Sequence, residues 1–143
     1  MSWISVVLSV CLIAISALHA LWALGSPWPM KSDQELVKAV VGDEKIIEMP
    51  AKWQSALVAI LLLAGAIWPH VMEQTLVIPF LPPMLIALGG WTLTAVFIGR
   101  GLVGLTPWFR RLLPEEPFRS YNRTYYSPLC IVIGLGFLLL QTL

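Results

Sequence analysis

Trp3–Leu24 reads WISVVLSVCLIAISALHALWAL. The run holds no Asp, Glu, Lys or Arg, and it has the length of about 20 residues that a helix needs to cross about 30 Å of hydrocarbon. Three further stretches of this kind follow, near Trp53–Val71, Leu81–Leu105 and Thr124–Leu143. Together they set the composition: of 143 residues 58% are hydrophobic and 12% charged, with a mean hydropathy of +0.81, against about 25% charged in soluble domains. A soluble core of this length could not bury so much apolar surface. Inside lipid every backbone N–H and C=O must be paired within a helix or a closed barrel, and these runs lack the alternation of barrel strands. The expected fold is therefore an all-α membrane protein, one transmembrane domain of four helices over residues 1–143.

Basic residues set the expected orientation. Lys31, Lys38, Lys45 and Lys52 all fall between the first two spans, and Arg100, Arg110, Arg111, Arg119 and Arg123 fall at the end of the third or before the fourth. The N-terminus, the turn at 71–80 and the C-terminus carry none of the 9. Short loops rich in Lys and Arg stay in the cytoplasm, so loops 25–52 and 106–123 are expected there and both termini outside, which in the bacterial case, an inner membrane, is the periplasm. Topology accounts for the arginines, so no nucleic-acid partner is expected. A cleaved signal peptide is not expected either, because no Lys or Arg precedes residue 31 and the apolar run is too long. Leu8-Ser9-Val10-Cys11 does not form a lipidation box.

Within the spans, small and polar residues fall in stripes. Ser5, Ser9, Leu12, Ser16 and His19 lie at helical spacing on the first helix, and Ser127, Cys130, Gly134, Phe137 and Gln141 do so on the fourth. Helices in lipid associate through close backbone approach and interhelical hydrogen bonds, so both stripes should face the interior. On the third helix the same reasoning selects Gly89, Thr92, Val96 and Gly99. In the first loop, Ser32-Asp33-Gln34-Glu35 matches a capping box, with Ser32 as N-cap and Glu35 reaching back to it. Leu36, Val37, Val40 and Val41 then form an apolar face and Gly42 a stop, which predicts a short helix on the membrane surface. Pro50 suits the first turn of the second helix. The connection 106–126, broken by Pro107, Pro114 and Pro117, should lie along the surface. No internal repeat marks the chain as an inverted-repeat transporter.

Depth arithmetic points to one layer. At helical rise His19 lies about 24 Å from the outer end of its helix, hence within about 6 Å of the cytoplasmic edge, and Cys130 enters from that edge to about 5–10 Å. His19, Trp22, Arg100, Asn122, Tyr125, Tyr126, Ser127 and Cys130 can therefore share a level, and Arg123 borders it. An ionisable group at such depth marks a functional site by default; the alternative is that His19 bonds a tyrosine hydroxyl or a carbonyl and locks the first helix to the fourth. Specific chemistries lack their parts. His70 sits across the bilayer from His19, which excludes a bis-histidine haem within one chain, and one His with one Cys cannot make a tetrahedral zinc site. No GxSxG or orienting carboxylate supports serine hydrolysis. Small proton-coupled exporters need a membrane carboxylate that these spans do not offer. Cys11 and Cys130 lie near opposite ends of their helices, too far apart for a disulfide, and no CxxC is present. No metal or cofactor is expected.

Residues 18–29, LHALWALGSPWP, and residues 122–139, NRTYYSPLCIVIGLGFLL, resemble a family of small four-helix bacterial membrane proteins catalogued as a domain of unknown function. The resemblance covers nearly the whole chain, and its sharpest elements are His19-x-x-Trp22-Ala23 and Tyr125-Tyr126-Ser127-Pro128-Leu129-Cys130. Trp28-Pro29-Met30 and Pro50-Ala51 stand where the family usually reads Trp-Gly-Leu and Pro-Gly. The family carries no assigned activity, so the resemblance implies the fold and no reaction. The expected role is binding without catalysis: a lipid headgroup, a small amphiphile or a partner helix at the cytoplasmic layer, with Arg100 and Arg123 meeting an anion while Trp22, Tyr125 and Tyr126 border its apolar part. Two alternatives stand beside it, a small oligomeric transporter or channel and a membrane enzyme using Cys130 with His19.

Overall fold

A computed structural model describes residues 2–143. The helices in chain order are α1 (Trp3–Ala23), α2 (Asp33–Val40), α3 (Lys52–Met72), α4 (Pro83–Gly104), α5 (Pro107–Leu112), α6 (Phe118–Tyr121) and α7 (Ser127–Thr142), with a π-helical turn over Asn122–Tyr126 joining α6 to α7. The described residues contain no strand. Four helices, Trp3–Ala23, Lys52–Met72, Pro83–Gly104 and the continuous Phe118–Thr142, are long and apolar enough to cross a membrane.

The helices pack as two intimate pairs, α1 with α3 and α4 with α7, which meet more sparsely. Serines hold the first pair. Ser9 Oγ donates to the Ala66 carbonyl at 2.6 Å and Ser16 Oγ to the Ala59 carbonyl at 2.7 Å, bonds that compete with no water in lipid. Ser5, Ser9, Leu12 and Ser16 are all buried, as their spacing predicts. Glycines hold the second pair: a Cβ on Gly101 would strike Ile131, and one on Gly134 would lie 2.8 Å from the Ile98 amide nitrogen. Leu8, Leu12, Ala66, Ile133 and Phe137 form the core between the pairs.

The packing face of α4 differs from the one its small residues suggest. Gly90, Thr94, Gly101 and Gly104 are buried, whereas Thr92 and Val96 are exposed and Gly99 has open space beside it. Close approach to α7 chose the face; of the other register only Gly89 packs closely, where a Cβ would strike the Trp68 ring of α3. The fourth span also begins earlier than Thr124, because α6 and the π turn carry the helix back to Phe118. Pro128 lacks an N–H and would crowd the carbonyl four residues before it; the preceding π turn, with the Ser127 amide bonded to the Asn122 carbonyl, widens the helix at that point. Pro50 stands outside α3, whose N-cap is Ala51.

Local signals end the helices. After α1 the Gly25 amide bonds the Trp22 carbonyl and the Ser26 amide the Leu21 carbonyl, at 3.0 and 2.9 Å, a Schellman closure with Gly25 at φ +88°. Ser32 Oγ caps α2 by accepting from the Glu35 amide, but the Glu35 carboxylate accepts from the Lys31 amide at 3.2 Å, one residue before the position a capping box requires. The apolar face of α2 lies on protein: Leu36, Val37 and Ala39 are buried, and the Tyr126 hydroxyl donates to the Ala39 carbonyl at 2.9 Å.

At the opposite end, the Ser2 amide donates to both Glu73 carboxylate oxygens at 3.1 and 3.0 Å. Partial burial works to raise the Glu73 pKa, but the hydrogen bonds from Ser2 and Ser5 outweigh it and hold the carboxyl below its ordinary value. A depressed folded pKa contributes stability above the unfolded value, about 4.3, and that stability is lost as pH falls through the folded value. Acidification below about pH 4 is therefore expected to fray the first turn of α1. Amide exchange over residues 2–6 should speed severalfold there, and Glu73→Gln should produce the same fraying at neutral pH.

Candidate functional site

Arg100 lies one turn from the C-terminus of α4, where the chain leaves the bundle. Its guanidinium is held from behind: Nη2 donates to Asn122 Oδ1 at 2.8 Å and Nη1 to Ser127 Oγ at 3.3 Å. Asn122 also accepts from the Ser127 hydroxyl at 3.0 Å and donates through Nδ2 to the Gly104 carbonyl at 2.8 Å. Asn122 and Ser127 are 2% and 0% exposed, so this network joins α4 to the π turn inside the protein. Gly104 leaves room for it, since a Cβ there would strike Ser127 Oγ and Arg100 Nη1. The Phe109 ring of α5 lies under the guanidinium, its centroid 5.0 Å from Cζ, a cation–π geometry. All these partners are neutral. Among the described residues no carboxylate pairs with Arg100.

In front of Arg100 is a half-open cavity of about 430 Å³ between α1, α7 and α2. Ile15, Leu18, Leu36, Val40, Phe118 and Leu129 make it apolar, and His19, Trp22, Tyr126 and Cys130 join Arg100 in its wall. Its volume lies in the range of about 300–1,000 Å³ that small-molecule sites occupy. His19 Nδ1 donates to the Ile15 carbonyl of its own helix at 2.9 Å. His19 therefore does not lock α1 to α7, and its Nε2 has no partner among the described residues. The imidazole leans on Trp22 with ring centroids 4.7 Å apart, while the Trp22 indole N–H donates to the Trp28 carbonyl at 2.8 Å and folds the following loop back.

Of the eight residues placed in one layer by depth and Arg123 beside them, five line the cavity: His19, Trp22, Arg100, Tyr126 and Cys130. Asn122 and Ser127 stand behind Arg100 as its hydrogen-bond partners. Arg123 and Tyr125 do not join them, because the π turn aims Asn122 and Tyr126 inward and leaves 123 and 125 on the outside. Tyr125 is 62% exposed and packs on Tyr121. Sequence reasoning missed Phe109, Phe118 and the contribution of Leu36 and Val40. The capping signal of α2 identifies the helix that carries the last two, but the apolar face expected on the membrane surface is covered by protein. Cys11 and Cys130 are both free thiols. No group of three or more His, Cys, Asp or Glu among the described residues could hold a metal ion.

Four helices long and apolar enough to cross a membrane, with a polar network at one end, are the features of a helical membrane protein. Within that class the chain belongs to the family described as protein of unknown function DUF3995, whose model matches residues 12–137. No curated protein and no solved structure matches it.

Proposed function

We propose that this protein binds an anionic amphiphile, its acidic group at Arg100 and its apolar part along α1 and α7, at the cytoplasmic side of a bacterial inner membrane. The observation that carries the reading is a guanidinium fixed in an apolar cavity wall by neutral partners alone. Asn122, Ser127 and Phe109 orient the charge without cancelling it. A cation kept this way in low dielectric attracts an anion strongly, since a charge away from water is expensive until it is paired. The 9 basic residues lie in the loops at the cavity end of the bundle or in the helix ends that border them, which supports a cytoplasmic placement by the positive-inside rule.

Cys130 reports on the cavity. In a Cys11→Ser background, maleimide labelling of Cys130 is expected to be severalfold slower in phosphatidylcholine bilayers doped with anionic amphiphiles, palmitate together with phosphatidylglycerol, than in phosphatidylcholine alone. Arg100→Gln should remove the difference. Equal rates in both bilayers for the wild-type site would contradict the reading.

A further inference from the structure

The chemistry of the cavity narrows the ligand further, on the reading that an anion sits at Arg100. We propose that the ligand is a long-chain carboxylate, a single-chain amphiphile whose polar end is the anion itself.

Charge is the first argument. Arg100 is the one Lys or Arg in the cavity wall, and the wall holds no Asp or Glu. A single negative charge neutralises it, whereas a dianion such as a phosphate monoester leaves a charge unpaired among Leu, Ile and Val. The guanidinium suits a carboxylate: of its five N–H groups two serve Asn122 and Ser127, and the remaining three suffice for a bidentate partner.

Room for a headgroup is the second argument. Toward the basic loops the cavity is lined by Leu36 and Val40 of α2 together with Pro29, Met30 and Phe118. The Tyr126 hydroxyl is spent on the Ala39 carbonyl, which ties α2 down over this side. None of these side chains offers a hydrogen bond to a glycerol or an ethanolamine. A headgroup extending past its anion would bury polar atoms without partners, so the ligand ends where its charge is.

His19 supplies the remaining polar atom. With Nδ1–H committed to the Ile15 carbonyl, only its Nε2 is left for a ligand. The chain of the ligand leaves along Leu129, which is 39% exposed and carries the apolar wall out to the lipid-facing surface.

The test is equilibrium binding of radiolabelled palmitate to the detergent-purified full chain, with methyl palmitate, lysophosphatidylglycerol and phosphatidylglycerol as competitors. Palmitate is expected to bind at one per chain, and each competitor to be at least tenfold weaker. Arg100→Gln should weaken palmitate at least tenfold. Cys130→Leu, which fills part of the cavity and leaves the Arg100 hydrogen bonds intact, should do the same in a protein that elutes and unfolds like the wild type. Competition by methyl palmitate as strong as by palmitate itself would overturn the carboxylate. Binding of phosphatidylglycerol or its lyso form that depends on Arg100, with none of palmitate, would overturn this inference and leave the anion site standing. Absence of binding by every probe, or binding indifferent to both substitutions, would overturn both.

Discussion

Asn122→Leu is expected to destabilise the protein by about 3 kcal/mol, more than any other single polar substitution in the chain. Leucine has nearly the shape of asparagine but returns none of its three hydrogen bonds. The Gly104 carbonyl and the Ser127 hydroxyl lose partners, and the Arg100 guanidinium loses its 2.8 Å acceptor in a position 2% exposed at Asn122. Interhelical hydrogen bonds between neutral groups in membranes average only about 0.6 kcal/mol; the larger figure here comes from leaving a charge without its acceptor. Denaturant-driven unfolding in mixed micelles would measure it, and a loss below about 1 kcal/mol would show that the network contributes little. Asn122→Asp separates folding from binding. Its carboxylate pairs with Arg100 and still accepts from the Ser127 hydroxyl, which offsets the loss of the Nδ2–H bond to the Gly104 carbonyl, so the fold should persist while the neutralised guanidinium no longer attracts an external anion.

The second large effect lies at the α4–α7 contact. A Cβ on Gly134 would lie 2.5 Å from Ile98 Cγ1 and 2.8 Å from the Ile98 backbone nitrogen, and the backbone cannot move aside as a side chain can. Gly134→Ala should therefore push α7 away from α4 and cost about 1–3 kcal/mol. The matched control is Gly99→Ala on α4, where nothing lies within 4 Å. That change should be neutral or should stabilise the helix by up to about 1 kcal/mol, the propensity difference between glycine and alanine. Comparable losses at both positions would mean that helix propensity, rather than close approach, governs these glycines.

Much of this fold is legible in the chain because lipid imposes one simple constraint. A run such as Trp3–Leu24 has only one way to satisfy its backbone in hydrocarbon, and the serine stripe of α1 then has only the interior to face. The α4 register was not legible: Gly89, Gly90, Gly99, Gly101 and Gly104 offer two glycine faces, and only the partner helix decides between them. The start of the fourth span was hidden by Pro128, which suits only the opening turns of a helix, whereas a π turn ahead of it carries the helix back to Phe118, directly after Pro117. Of the candidate layer, depth counting could place His19, Arg100 and Cys130 at one level. It could not say which way each side chain turns, and the extra residue of the π turn is what sends Arg123 and Tyr125 outward. The covering of the cavity by α2 was beyond local pattern altogether, because an amphipathic helix of eight residues looks the same against lipid as against Phe118 and Tyr126.

The central claim is that Arg100 is an uncancelled cation waiting for an anion. Native mass spectrometry of the gently purified chain tests it most directly, with wild type, Arg100→Gln and Asn122→Asp compared side by side. The account predicts a discrete bound mass of one acidic amphiphile on the wild type, lost by at least tenfold in both variants while both remain folded. A bare wild-type protein, or an adduct retained equally in Asn122→Asp, would contradict it and leave the network as a lock between α4 and α7.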